Sequence, residues 1–152
     1  MKYMMKVWPW FFVVVWMMVI FYLSHQPATE SSRFSLSIAG WLMNFFFVMI
    51  PGDFISIDQL HFYLRKSAHF IAYFILGVLV LRAFVNSGVR GWKSVVYAFL
   101  VSFAYAISDE FHQLFVPGRA AQVRDVLIDG SGAFCGILLA RSLGKLKKRL
   151  GK

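Results

Sequence analysis

The stretch Val7–Leu23, VWPWFFVVVWMMVIFYL, holds 17 residues and no charge. As a helix it is about 26 Å long, close to the hydrocarbon thickness of a bilayer. A helix on the surface of a soluble domain keeps a polar face, and this one has none, so the solvent it fits is lipid. Pro9 falls in the first turn of the run, where a missing amide donor costs little. No Ala-x-Ala-like cleavage site follows in residues 24–28, so the run reads as a retained anchor rather than a signal peptide. Three more apolar stretches follow, at about residues 68–85, 92–108 and 126–143, each long enough to cross with help from its flanking turns. The sequence predicts an all-α integral membrane four-helix bundle, one domain over residues 1–152.

Composition agrees. Of 152 residues, 59% are hydrophobic and only 15% charged, with a mean hydropathy of +0.65. A soluble domain runs near 45–50% apolar and about 25% charged. Disorder and a collagen repeat are excluded, and so is a disulfide scaffold, because Cys135 is the single cysteine. With no partner to bridge to, Cys135 is expected to be a small buried side chain.

The balance of 16 Lys and Arg against 7 Asp and Glu would suggest nucleic acid in a soluble protein. Here the cations flank the spans, which is the signature of the cytoplasmic side of a membrane, so no nucleic-acid partner is expected. With both termini inside, eleven basic residues face the cytoplasm and five, Arg33, Arg65, Lys66, Arg119 and Arg124, face outward. The expected arrangement is therefore multi-pass, with both termini cytoplasmic and the lipid bilayer as the obligatory partner. All seven carboxylates and all four histidines then fall at or near the outer boundary. Such segregation points to an extracytoplasmic site.

The connection between the first two spans divides in three. Ser24–Ser37 is polar and contains Pro27, which predicts irregular chain. Trp41–Ile50 is apolar but only ten residues long before Pro51-Gly52, too short to cross. It is expected to form a short interfacial or re-entrant helix. Ile57–Lys66 reads as an amphipathic lead-in to the second span.

Polar residues recur at the outer ends of the spans. Lys66, His69 and Tyr73 stand at i, i+3 and i+7, on one helix face. Ser108-Asp109-Glu110-Phe111-His112-Gln113 ends the third span, with Asp109, His112 and Gln113 sharing a face if the helix continues and Glu110 beside them. Adjacent carboxylates after a long apolar run are expensive unless hydrated, paired or protonated. Pro117-Gly118 supplies a turn, and Arg119 adds a planar donor fork suited to carboxylate or phosphate. Arg124 and Asp125 open the fourth span. Asp129 lies one turn deeper and must face the bundle, and Gly132 and Gly136 form a small-xxx-small pair that admits a neighbouring helix.

These segments together closely resemble the VanZ-like family of bacterial membrane proteins. The resemblance is carried by Arg65-Lys66-Ser67-Ala68-His69-Phe70-Ile71-Ala72-Tyr73, Ser108–Gln113, Pro117-Gly118-Arg119, and Asp125–Asp129 with its following glycines. It reaches back to Ser24-His25-Gln26-Pro27. One position departs: the family commonly has asparagine where this chain has Asp129. The resemblance implies a cell-envelope role in the membrane of a bacterium and a link to low-level teicoplanin resistance, and it supplies no reaction.

Three functions are open at this level. The outer site would bind or modify a cell-wall precursor or other lipid-linked ligand, with Lys66, Tyr73, Gln113, Arg119, Arg124, Asp125 and Asp129 as ligand contacts. Alternatively, His69, Asp109, Glu110 and His112 would be the acid–base groups of an enzyme. Third, the charges would form a buried ion-pair network holding a structural bundle or a transport component, the latter as a homodimer. A metal site of two histidines and two carboxylates would draw on the same groups. The spacing lacks an H-E-x-x-H pairing, so no metal ligands are assigned and no cofactor is specified.

Overall fold

A computed structural model describes residues 4–30, 33, 36–38, 40 and 56–150. Four long helices carry the fold: α1 (Met4–His25), α2 (Ile57–Asn86), α3 (Trp92–Gln113) and α4 (Val123–Leu150). Each is long and apolar enough to cross a membrane, and no strand occurs among the described residues. The expected all-α membrane bundle is therefore observed. The segment expected to be an interfacial or re-entrant helix, residues 41–50, lies outside the described residues.

The helices cover the expected spans and run beyond them, most at the start of α2 and at the ends of α3 and α4. The second helix starts at Ile57, because Ser56 and Gln59 form a reciprocal capping box that lets the lead-in and the span run as one helix. The third continues past Ser108 to Gln113, because its terminal carboxylates are buried rather than solvated. Pro9 sits in the second turn of α1, not the first, because that helix begins at Met4. Residues 28–30, 33 and 36–38 are helical where irregular chain was expected. Pro27 immediately precedes the first of these, and its fixed φ suits the start of a helix as well as a loop.

The α2–α4 pair is the most extensive contact in the fold. Its closeness comes from missing side chains. A Cβ at Gly132 would strike the carbonyl of Phe70, one at Gly136 the carbonyl of Phe74, and one at Gly77 the carbonyl of Ala133. In a bilayer, where lipid is as apolar as leucine, close backbone approach of this kind drives association. Tyr73, Leu76, Val80, Ala133 and Ile137 fill the seam.

The helix α1 packs on α2 and α3 through Val13 and Ile20. Two side chains tie it to neighbouring backbone: Trp16 Nε1 donates to the Ala72 carbonyl at 2.8 Å, and Tyr105 Oη donates to the Met17 carbonyl at 2.6 Å. Its outer surface, including Trp8, Phe11, Met18 and Tyr22, is exposed and apolar. In water such a face would be a liability, and in lipid it is the expected surface. Cys135 is also exposed, contrary to expectation, because Gly132 and Gly136 take the packed face of α4 and turn Cys135 outward.

Candidate functional site

The four helices alternate in direction, so one end of the bundle gathers the C-terminal ends of α1 and α3 with the N-terminal ends of α2 and α4. The polar residues singled out in the sequence all belong to this end. Asp109, Glu110, Gln113, Asp125 and Asp129 are each at most 3% exposed. Their burial rules out a set of solvated helix ends and makes this the candidate site.

A ladder joins α2 to α4. Lys66 Nζ donates to Asp125 Oδ1, and one turn deeper His69 Nδ1 lies 3.3 Å from Asp129 Oδ1. The two rungs match because an i, i+3 step on one helix meets an i, i+4 step on the other. Tyr73 lies one turn further in, almost wholly buried, and its hydroxyl has no hydrogen-bond partner.

Of the polar residues that end α3, Asp109, Glu110 and Gln113 turn inward. Asp109 Oδ2 accepts from Ser24 Oγ of α1 at 2.9 Å. Glu110 Oε2 accepts from the backbone amide of Gln122 at 2.9 Å, just before α4. Gln113 Oε1 meets Arg119 Nη1 at 3.4 Å. His112 leaves the cluster: its Nε2 is 3.1 Å from Nδ1 of His25, and its ring packs 4.5 Å from that of Phe21. Helix geometry explains the split. Asp109, Gln113 and Glu110 span an arc of about 100°, and His112 stands about 60° beyond its far edge.

The turn Val116–Arg119 is closed by the Arg119 amide on the Val116 carbonyl at 3.1 Å. Pro117 and Gly118, the latter at φ 75°, occupy its centre, the arrangement of a type II turn. It projects Arg119 back toward α1, where Nε donates to Gln26 O at 2.9 Å and Nη2 to Leu23 O at 3.2 Å. These are carbonyls at the C-terminus of α1, which lack intrahelical partners and carry the negative end of the helix dipole. Burial and then the neighbouring Arg65 hold the Arg119 guanidinium below its ordinary pKa. Arg124 is exposed, with its guanidinium over the Phe62 ring at 5.4 Å, and does not join the cluster.

Beside this network is a cavity of about 410 Å³ between α1 and α2. Ile20, Leu23, Leu64 and Ile71 give it apolar walls, while Arg65, Arg119, His69 and Asp109 supply polar groups. Sequence reasoning assigned no role to Ser24, Arg65 or Gln122. Ser24 was visible as a polar residue ending an apolar span, but its partner lies 85 positions away. The contribution of Gln122 is a backbone amide, which no side-chain pattern reveals.

Fold and site together define a multi-pass α-helical membrane protein with ionisable groups buried at one end of its bundle. The chain belongs to the VanZ-like family: the family model described as VanZ/LLP1 matches residues 9–144, nearly the whole chain. Membership places it among cell-envelope proteins linked, as a family, to teicoplanin resistance. No curated protein and no solved structure matches the chain.

Proposed function

We propose that the protein binds the anionic head of a lipid-linked envelope ligand at the outer face of a bacterial cell membrane. Its chain lies with both termini in the cytoplasm, and ligand capture contributes to low-level resistance to teicoplanin and related lipoglycopeptides. The observation that carries this reading is the cavity between α1 and α2. Apolar walls suit a hydrocarbon chain, and Arg65 and Arg119 line the same space with Asp109 as its one acidic lining residue, neither arginine forming an ion pair among the described residues. A phosphate or carboxylate there would relieve the mutual repulsion of two guanidiniums and gain charge-assisted hydrogen bonds. The volume lies in the range of small-ligand sites.

The test is native mass spectrometry of the full chain in detergent with a long-chain prenyl phosphate. Wild type is expected to retain one lipid, and Arg65→Gln to lose at least tenfold in affinity, about 1.4 kcal/mol. Equal retention by both chains overturns the reading.

A second reading, acid–base catalysis on an envelope substrate, draws on one observation. His69 lines the cavity while its Nδ1 faces Asp129, so the carboxylate would fix the imidazole as a general base. Turnover of the bound lipid that vanished in His69→Gln would favour it over binding alone.

A further inference from the structure

Behind the cavity, His69 of α2, Glu110 of α3 and Asp129 of α4 each present a ligand atom, all within 4.8 Å of one another. These residues come from three different helices, so no spacing along the chain announces the group. We propose that they bind one divalent transition-metal cation of the Zn²⁺ or Mn²⁺ type.

The orphaned oxygens point to this ligand. Both carboxylate oxygens of Asp129 lack a hydrogen-bond partner, although the residue is 0% exposed. Glu110 Oε1 is equally unpartnered at 3% exposure. Its other oxygen accepts from the Gln122 amide, the kind of outer hydrogen bond that orients a ligating carboxylate at a metal centre. Buried anionic oxygens left without a partner are costly, and a cation is the occupant that satisfies several at once.

The counter-charges are already engaged elsewhere. Lys66 pairs with Asp125, and Arg119 donates to the Leu23 and Gln26 carbonyls and to Gln113 rather than to either carboxylate. Among the described residues, no Lys or Arg forms an ion pair with Glu110 or Asp129.

The distances fit as well. His69 Nδ1 and Asp129 Oδ1 are 3.3 Å apart, yet Asp129 Oδ1 makes no aligned hydrogen bond. Two ligand atoms on a tetrahedral ion with bonds of about 2.0–2.1 Å stand about 3.3 Å apart. With a ligand atom of Glu110 within 4.8 Å of both, the three groups would take one face of the ion and leave a position open. One imidazole with two carboxylates suits Zn²⁺ and Mn²⁺; Mg²⁺ prefers all-oxygen ligands and Cu⁺ prefers sulfur. The proposal stands apart from lipid binding, because its test uses metal alone.

The experiment is isothermal titration of the full chain in detergent, stripped with EDTA, with Zn²⁺, alongside Co²⁺ absorption as a spectroscopic probe. Wild type is expected to bind one equivalent at micromolar affinity or tighter. Asp129→Asn and Glu110→Gln are each expected to weaken binding at least about tenfold while thermal melts show folded protein. His25→Ala, a control for adventitious binding at the His25–His112 pair, is expected to bind as wild type does. Zinc X-ray absorption on wild type, which needs no variant to fold, should report a single imidazole with oxygen ligands. Absence of saturable binding, affinity indifferent to both carboxylate variants, loss of binding in His25→Ala, or two imidazoles on the metal would each overturn the proposal.

Discussion

Ser24 at the end of α1 donates a 2.9 Å hydrogen bond to Asp109 of α3, and both residues are buried. The contact fastens the most lipid-exposed helix to the polar end of the bundle. Removing the hydroxyl leaves Asp109 with an uncompensated oxygen in addition to Oδ1, which already has no partner. Ser24→Ala is therefore expected to cost about 1–3 kcal/mol, read as a lowered unfolding midpoint in detergent. A midpoint equal to wild type would remove Ser24 from the account.

Arg119 makes three differently directed hydrogen bonds, two of them to the carbonyls of Leu23 and Gln26 at the end of α1. A lysine there keeps the charge but loses the planar fork. Arg119→Lys is expected to loosen the turn and the end of α1, measured as faster proteolysis within residues 114–122. Unchanged cleavage would mean that charge alone suffices.

Close approach of α2 and α4 makes Gly136 intolerant of a side chain. Gly136→Val drives a branched group into the Phe74 carbonyl and is expected to cost 1–3 kcal/mol or more. Gly144→Ala, where a Cβ meets nothing, is expected to be neutral or to stabilise by about 0.5–1 kcal/mol. Paired melts of the two variants in one detergent check both signs.

His69 and His112 carry equal weight on paper and unequal weight in space. Teicoplanin susceptibility of cells at matched membrane levels is expected to shift more with His69→Ala than with His112→Ala, and Glu110→Gln should resemble the former. Loss of resistance in step with loss of folded yield would assign these residues to a structural network. Normal yield with lost resistance assigns them to the site.

Span centres were legible because a bilayer demands long charge-free runs, and Val7–Leu23 satisfies that demand without reference to any other residue. The end of α3 was less so. Asp109 and Glu110 look like a water boundary until Ser24 and the Gln122 amide, distant in sequence, are brought against them. His112 lies apart from Asp109 for a related reason. Its three-residue spacing from Asp109 is real, but the direction of the bundle centre is set by α4, and His112 falls on the other side. The pairing of Lys66 with Asp125 and the approach of His69 to Asp129 depend on the register of two helices, which neither helix encodes alone.

The α2–α4 ladder also bears on how the chain enters the membrane during synthesis. A segment carrying Asp125 and Asp129 in its first turns partitions poorly from the translocon by itself, since an acidic residue deep in a span opposes insertion. Ribosomal order delivers α2 first, with Lys66 and His69 already in place to receive those two acids. The acids of the later span thus emerge from the ribosome with their folded-state partners already synthesised.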